Sequence, residues 1–437
     1  MTSIAAFIFV LGVMVLFHEL GHFLAARYYG IRVESFSIGF GPRLFGFKRG
    51  DTDYKICVLP LGGYVKMAGE NFGEPSGDPD EFLAKPRWQR LVVVFMGPAF
   101  NGILAVGMLM GLYMFHYESY AFMSEPAVVG YIENESGADQ AGLQVGDEIV
   151  AVDGEPTPTW KSVRLTEIAA VHREIDVAVM RNGERKHFSV PIQADPNGMG
   201  YGGWTEVARV RLLSASPGMP AADAGIEDGD VLTAINGEKI WAVGQVVDTL
   251  QRLGGSEIEL ELERESGNVK TRLTPVFEKD DENGGAWRIG VGLRSLHEPV
   301  IAQLGFSEAL SQSLKENVEN ATLIFRFLGG LLEQRMSAKS LQGPVGIAKL
   351  SGEAARQGPA ALFRFMAIIS LQLGIFNLLP IPILDGGVIV LLLLESAMRR
   401  DISMAIKERI LQVGLVFLAI LFVFVMYNDI LNSLSSG

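Results

Sequence analysis

The sequence predicts a multi-domain α+β membrane protein with four transmembrane helices, a membrane-associated β-region after the first of them, and two small mixed domains in a polar block. Three observations carry that reading. Four stretches, residues 4–26, 91–115, 365 to about 394 and 410–427, are apolar enough to cross a bilayer, which takes roughly 20 residues per helix. Residues 118–300 hold 31 acidic and 16 basic side chains, a net of −15, whereas the whole chain of 437 residues carries −13 beside a mean hydropathy of +0.26. Within that acidic block one pattern of fifteen residues occurs twice.

A chain that is acidic and yet apolar on average is unusual for a soluble protein. The two properties separate along the sequence, because everything outside 118–300 is near neutral. The acidic total excludes a general nucleic-acid binder, which would carry a basic stripe. The single Cys57 excludes an internal disulfide framework and a cysteine-ligated zinc.

The first apolar stretch has no Lys or Arg before Arg27, so it lacks the basic start of a secretory signal and reads as a retained span. Residues 27–90 carry 10 Lys and Arg and residues 396–409 carry 4, which puts both links in the cytoplasm and both termini outside. This orientation exports the acidic block, into the periplasm if the membrane is a bacterial inner membrane. A thylakoid or organellar membrane fits the charges equally.

Residues 53–67, in the link after the first span, alternate: Tyr54, Ile56 and Val58, then Tyr64 and Val65 after Gly62 and Gly63. They predict a β-region in which Gly62 and Gly63 let a second backbone come close; a plain hairpin with a glycine turn is the alternative. In the second span, Gly97 and Asn101 read as close-packing positions, with a place at the active site as the minority alternative. The third apolar stretch, within 363–395, is too long for one straight crossing and is interrupted by Pro380, Pro382, Gly386 and Gly387, which predicts a broken helix. Asn377 and Asp385 lie on it at membrane depth, where polar groups are costly and mark functional sites. Ahead of it, residues 305–360 read as amphipathic helices and a connector, with apolar spacing over 307–336 interrupted by Lys315, Glu316, Glu319 and Arg326.

In the acidic block, residues 141–155 (AGLQVGDEIVAVDGE) and 224–238 (AGIEDGDVLTAINGE) match at seven of fifteen positions with an offset of 83. Each copy reads as a turn, a strand and an Asp-Gly or Asn-Gly hairpin. Trp160 and Trp241 follow, then a helical stretch and a second hairpin; in the second copy Ile258, Leu260 and Leu262 alternate with glutamates on a solvated face.

The sharpest signal is His18-Glu19-Leu20-Gly21-His22. On a helix, positions i and i+4 share a face, so both imidazoles can reach one metal while Glu19 leans beside the open position. Zinc suits two histidines, a third donor and a water, and Glu19 can take that water's proton and hand it to the leaving amine. The preceding run FIFVLGVMVLF is uninterrupted apolar sequence, so the motif lies within the membrane. The other four histidines lie at a span end or in the exported block, too far to serve. Asp385 is the carboxylate in the interior of the other spans, and as third ligand it would pin the first and third spans together; the alternative makes it a helix cap in the turn at 384–387.

These motifs resemble the site-2 protease family of intramembrane zinc metalloproteases, and within it the bacterial RseP type with tandem periplasmic PDZ domains. The matching residues are HELGH at 18–22, GFGP at 39–42, PLGGYVKM at 60–67, GPAFN at 97–101 and NLLPIPILDGG at 377–387. The repeat is similar to circularly permuted PDZ domains, here 126–208 and 209–297; such domains take an extended peptide by strand addition, with 127–130 and 212–217 as candidate carboxylate loops. Spacers or size filters without a peptide ligand are the alternative.

The resemblance implies one zinc ion per chain held by His18, His22 and Asp385, with Glu19 as catalytic base and Asn377 stabilising the transition state or aligning substrate. It further implies substrate backbone alongside Gly62, Gly63 and Tyr64. The implied substrates are single-span membrane proteins of the bacterial inner membrane, such as an anti-sigma factor already trimmed by a first protease, and remnant signal peptides. One departure is visible, since Val388 stands where chains of this type often have His. A non-catalytic, membrane-anchored PDZ adaptor is the rival reading, and it requires no metal.

Overall fold

The computed structural model describes residues 2–70, 77–195, 199–264, 266–279, 285–297, 299–333 and 343–435. Helix α1 (Thr2–Tyr28) is built from the first apolar run and is apolar on all sides. Its last turn is closed by Gly30, which takes a positive φ of 65° while the Ile31 amide returns to the Ala26 carbonyl.

Two long strands follow, β1 (Val33–Arg49) and β2 (Thr52–Met67), paired antiparallel with repeated register shifts. The shifts give residues 35–38 partners on both sides: Phe36 pairs with Val65 and with Tyr54, and Ile38 with Gly63 and with Ile56. The run 63–67 is therefore one edge of the folded-over sheet, and 43–49, which pair only with 52–57, are the other. A core of Phe23, Ile31, Phe36, Val65, Phe82 and Val93 seats this sheet against α1 and the next helix. That helix, α2 (Arg87–Phe115), starts after Pro86 and carries Pro98 inside it.

Residues 118–301 belong to a second compact unit, which contains two modules of one pattern. The first orders its strands 204–206, 127–132, 148–152, 174–181 and 184–191, and the second 291–296, 209–215, 231–235, 258–264 and 267–273. Helices α3 (Gly137–Ala141) and α4 (Trp160–Ile168) belong to the first module, α5 (Pro220–Asp223) and α6 (Val243–Leu253) to the second. The hairpins expected at Asp-Gly and Asn-Gly have positive φ at both residues, 49° and 79° at Asp153 and Gly154, 51° and 78° at Asn236 and Gly237.

An identical ion pair closes both modules. Arg181 grips Asp147 through two bonds of 2.7 and 2.6 Å, and Arg264 grips Asp230 through two of 2.7 and 2.8 Å. The Asp230 carboxyl is held below its ordinary value by the Arg264 fork; for Asp147, burial pushes upward and the Arg181 fork overrides it. The two tryptophans do not match: Trp160 is 2% exposed and Trp241 46%. The segments 127–130 and 212–217, expected to hold a carboxylate, begin in or run through interior strands whose two sides are already paired. The edges of the sheets lie elsewhere, at 204–206 and 184–191 in the first module and at 291–296 and 267–273 in the second.

The chain then returns to the first unit. Helices α7 (Phe306–Leu332) as far as Arg326, α8 (Pro344–Gln357), α9 (Pro359–Asn377), α10 (Asp385–Met398) and α11 (Met404–Ser435) complete it. The expected amphipathic run reaches 332 as helix, and its residues 334–336 lie outside the described ones. The third apolar stretch is helix to Asn377, a turn over 378–384, and helix again from Asp385. Among the described residues four helices are long and apolar enough to cross a membrane: Ser3–Tyr28, Arg87–Phe115, Pro359–Asn377 and Ala405–Asp429. Helix α9 packs on α2 through Gly374, where a Cβ would lie 3.0 Å from the Pro98 carbonyl, and through Ser370, whose hydroxyl donates to the Asn101 carbonyl at 2.8 Å.

Candidate active site

His18 and His22, one turn apart on α1, place their rings 4.8 Å apart at 85° and their Nε2 atoms at 3.2 Å. Asp385 is the first residue of α10; Leu384 occupies the cap position, and no side chain caps that end. The carboxylate turns to the histidines instead, with Oδ2 3.2 Å from His18 Nε2 and Oδ1 3.6 Å from His22 Nε2. Among the described residues these three form the group of His, Cys and carboxylate donors close enough to share a metal, all within 4.8 Å of one another.

The donor chemistry fits zinc. His22 Nδ1 lies 2.9 Å from the Val93 carbonyl, which can only accept, so the proton sits on Nδ1 and the Nε2 lone pair faces Asp385. Lone pairs converging with a carboxylate repel unless a cation lies among them. A tetrahedral zinc with bonds of about 2.0–2.1 Å has ligand-to-ligand edges of about 3.3–3.4 Å. The observed separations are 3.2, 3.2 and 3.6 Å.

Helix α2 shapes the other side of the rings. At Gly97 a Cβ would stand 2.2 Å from His22 Nε2, so any side chain there would displace the imidazole. Asn101 is fully buried, with Nδ2 3.2 Å from His18 Nδ1 and an Oδ1 that has no hydrogen-bond partner. From the sequence, both residues read first as packing positions. Gly97 and Asn101 stand four apart on α2, the spacing of His18 and His22 on α1, and that shared period is the signal that could have found them.

Glu19 lies where the sheet edge passes: a Cβ on Gly63 would fall 3.1 Å from Glu19 Cγ and 2.9 Å from Val15. Gly62 has a φ of 145° and faces the Phe40 ring, which also stacks on Tyr64 at 6.1 Å. Tyr64 and half-buried Asn377 line one cavity of about 560 Å³ together with Glu19, both histidines and Asp385. Val388 lines it too. The structure thus brings His18, Glu19, His22, Asn377, Asp385 and Tyr64 to one space, with Gly63 alongside and Gly62 one residue beyond it.

The profile of Peptidase family M50 matches residues 6–421 of this chain. The chain is 32% identical to Protease RseP of Yersinia pestis and 31% identical to the Regulator of sigma-E protease RseP of Escherichia coli strain K12, in both cases over 98% of each chain. It is 30% identical to a putative zinc metalloprotease of Vibrio cholerae over 97% of each. Among solved structures it is similar to the PDZ domain of an SdrC-like protein of Listeria monocytogenes, which is 21% identical, covers 20% of this chain and 90% of that one, and gives a TM-score of 0.18. With two histidines, a carboxylate and a neighbouring glutamate converging in one cavity, and with matches of this length, the chain belongs to Peptidase family M50 and is a zinc metalloprotease.

Proposed function

We propose that this zinc metalloprotease works within the membrane, hydrolysing a peptide bond of single-span membrane proteins in the half of the bilayer nearer the cytoplasm. The observation that carries the reading is the convergence of His18, His22 and Asp385 at 3.2–3.6 Å on helices apolar enough to span. These three hold one zinc ion per chain. When bound, zinc polarises a carbonyl and makes water acidic enough to attack near neutral pH. Glu19 accepts the proton of the attacking water and returns it to the leaving amine. Asn377, on the same cavity wall, aligns the substrate or donates to the carbonyl oxygen as it gains charge.

A helix hides its amides, so the substrate must unwind, and its exposed backbone needs partners where water is scarce. The sheet edge at 63–67 supplies them by strand addition, with Gly63 and Tyr64 beside Glu19 and Gly62 at the entry. The two modules of the acidic block are circularly permuted PDZ domains on the periplasmic side, where both termini also lie, in a bacterial inner membrane. Their open edges at 204–206 and 291–296 are the places for an added peptide strand, and the pair admits only substrates with shortened outer domains. Its substrates are of the anti-sigma-factor kind, already cut once, a reading that the relatives named as regulators of sigma-E support; remnant signal peptides share their single-span form.

Purified Glu19→Gln should keep its zinc and fold while losing cleavage of a single-span test substrate. Cleavage at the wild-type rate by this variant would sink the mechanism, and undiminished zinc in Asp385→Asn would remove that residue from the ligand set.

A further inference from the structure

The cavity that holds Glu19 and Asp385 has a second polar region lined by Arg90, Glu395 and Lys407. Its charges do not cancel. Lys407 pairs with Glu395 at 2.6 Å, both buried, and the Ile402 amide donates to Glu395 at 2.9 Å. Arg87, on the same helix as Arg90, is taken by Asp401 at 2.8 Å. Glu70, also on the cavity wall, accepts the Met67 amide at 3.1 Å. Arg90 is 7% exposed, and among the described residues no carboxylate lies within ion-pair distance of it and its Nε has no acceptor. Glu395 and Asp401 act on this guanidinium only through space, each being held directly by another cation, so a carboxylate entering the cavity could make the direct contact that they do not.

Its position relative to the chemistry follows from the helix. Arg90 precedes by three residues Val93, whose carbonyl holds His22, and three residues of α-helix rise about 4.5 Å. An extended peptide advances about 3.3 Å per residue, so Arg90 stands within one or two residues of the bond to be cut. It lies toward the start of α2, the cytoplasmic end in the proposed orientation.

We propose that this part of the cavity is a carboxylate-binding subsite built on Arg90. It takes either the new C-terminal carboxylate of the fragment that leaves toward the cytoplasm or an acidic side chain one or two residues before the cut. The planar fork of Arg90 suits a carboxylate, and the Glu395 carboxylate beside it is already held by Lys407 at 2.6 Å. The inference rests on the reading of this cavity as the place of cleavage.

The test uses the full-length, zinc-loaded protein in detergent and three synthetic apolar peptides of one sequence. One ends in a free carboxylate, one in a carboxamide, and one in a carboxamide with Glu placed next to the last residue. Each competes against cleavage of a single-span substrate by wild type, Arg90→Gln and Arg90→Lys. One charge-assisted bond predicts that a carboxylate-bearing peptide competes about 10-fold or more better than the plain carboxamide in wild type. The ratio should fall to about 2-fold or less in Arg90→Gln and return in part in Arg90→Lys. Whichever of the two acidic peptides shows the ratio identifies the source of the carboxylate.

An unchanged ratio in Arg90→Gln means that the metal reads the carboxylate, and equal competition by all three peptides in wild type means that nothing does; either overturns the proposal. If Arg90→Gln does not fold, the wild-type protein decides the matter through an arginine-specific dicarbonyl reagent: the acidic peptide should protect Arg90 and the carboxamide should not, and equal protection overturns the proposal. Failure of the underlying reading looks different, since then no peptide competes and Glu19→Gln still cleaves.

Discussion

Asn101 offers the sharpest test of how the site is held. If His18 gives its Nε2 lone pair to the metal, its Nδ1 must carry a proton, and that buried proton needs an acceptor. Among the described residues the hydrogen-bond partner of Nδ1 is the Asn101 amide at 3.2 Å, and the amide oxygen of Asn101 lacks a partner. A half-turn of the amide exchanges nitrogen and oxygen at no steric cost and satisfies both groups. Asn101→Leu keeps the number and branching of the side-chain heavy atoms, and a site in which a Cβ on Gly374 would lie 3.3 Å from the Asn101 Cβ has little room for anything larger. The bond from Ser370 goes to the backbone carbonyl and survives the change. Loss of such an outer contact costs about 10- to 100-fold in metal affinity, which is about 1.4–2.7 kcal/mol. Competition for zinc between the purified variant and a chelator of known affinity measures it, and Asn101→Asp, which restores an acceptor, should recover part of the loss. An Asn101→Leu protein that holds zinc as tightly as wild type would refute the reasoning.

Other expectations follow from the same contacts. Gly97→Ala should displace the His22 ring and lower cleavage by about 100-fold, because its Cβ would stand 2.2 Å from Nε2; unchanged kinetics would mean the helices yield instead. Arg181→Gln leaves Asp147 buried without its cation, so the first module should lose about 3 kcal/mol while the second, closed by Arg264, keeps its protection in hydrogen exchange. In the first module burial pushes Glu167 up from 4.5 to about 7, against which the Gly202 amide pulls down. The folded state therefore keeps a proton that the unfolded chain gives up, and stability should fall by about 3 kcal/mol as pH rises from 4.5 to 7, a slope that Glu167→Gln removes. Chelation of zinc should speed hydrogen exchange around 378–388, through loss of the ligand's contribution to the folded state, and leave the acidic block unaffected.

Much of this was legible in the sequence because it is written in short periods. The apolar runs, the i and i+4 histidines and the repeat at an offset of 83 are local patterns, and each became a helix, a pair of facing rings or a matching module. What escaped depends on partners far along the chain. Arg181 and Arg264 keep the same offset of 83, yet they fall outside the fifteen-residue match and show their purpose only when they reach back 34 residues to Asp147 and Asp230. The outer strands at 204–206 and 291–296 escaped too, because each lies more than 70 residues along the chain from the strand it pairs with, 127–132 and 209–215. Arg90 looked like one more cation of the cytoplasmic link; only the pairing of its neighbours with Asp401 and Glu395 leaves it alone in the cavity.

The interruption between α9 and α10 explains why the proposed third donor is an aspartate at the start of a helix rather than a third histidine within one. A side chain on a straight helix beside α1 would approach sideways, whereas the first residue of a restarted helix can face along the axis into the gap. The restart is costly. Ile383 sits at a φ of 89°, where a β-branched residue is strained by about 1–3 kcal/mol. Something must hold the turn in that shape, and the neighbouring glycines do so: a Cβ on Gly386 would lie 2.3 Å from the Leu378 and Leu379 carbonyls, and one on Gly387 2.4 Å from that of Ile381. Helix α11 adds its own contact, since Gly414 lies so close to Pro382 that a Cβ would stand 2.5 Å from the ring carbon. The run Leu384-Asp385-Gly386-Gly387 therefore divides its work between one side chain and two missing ones. Asp385 supplies charge to the site, and the glycines fold the turn against its own backbone so that the charge arrives within 3.2–3.6 Å of both histidines.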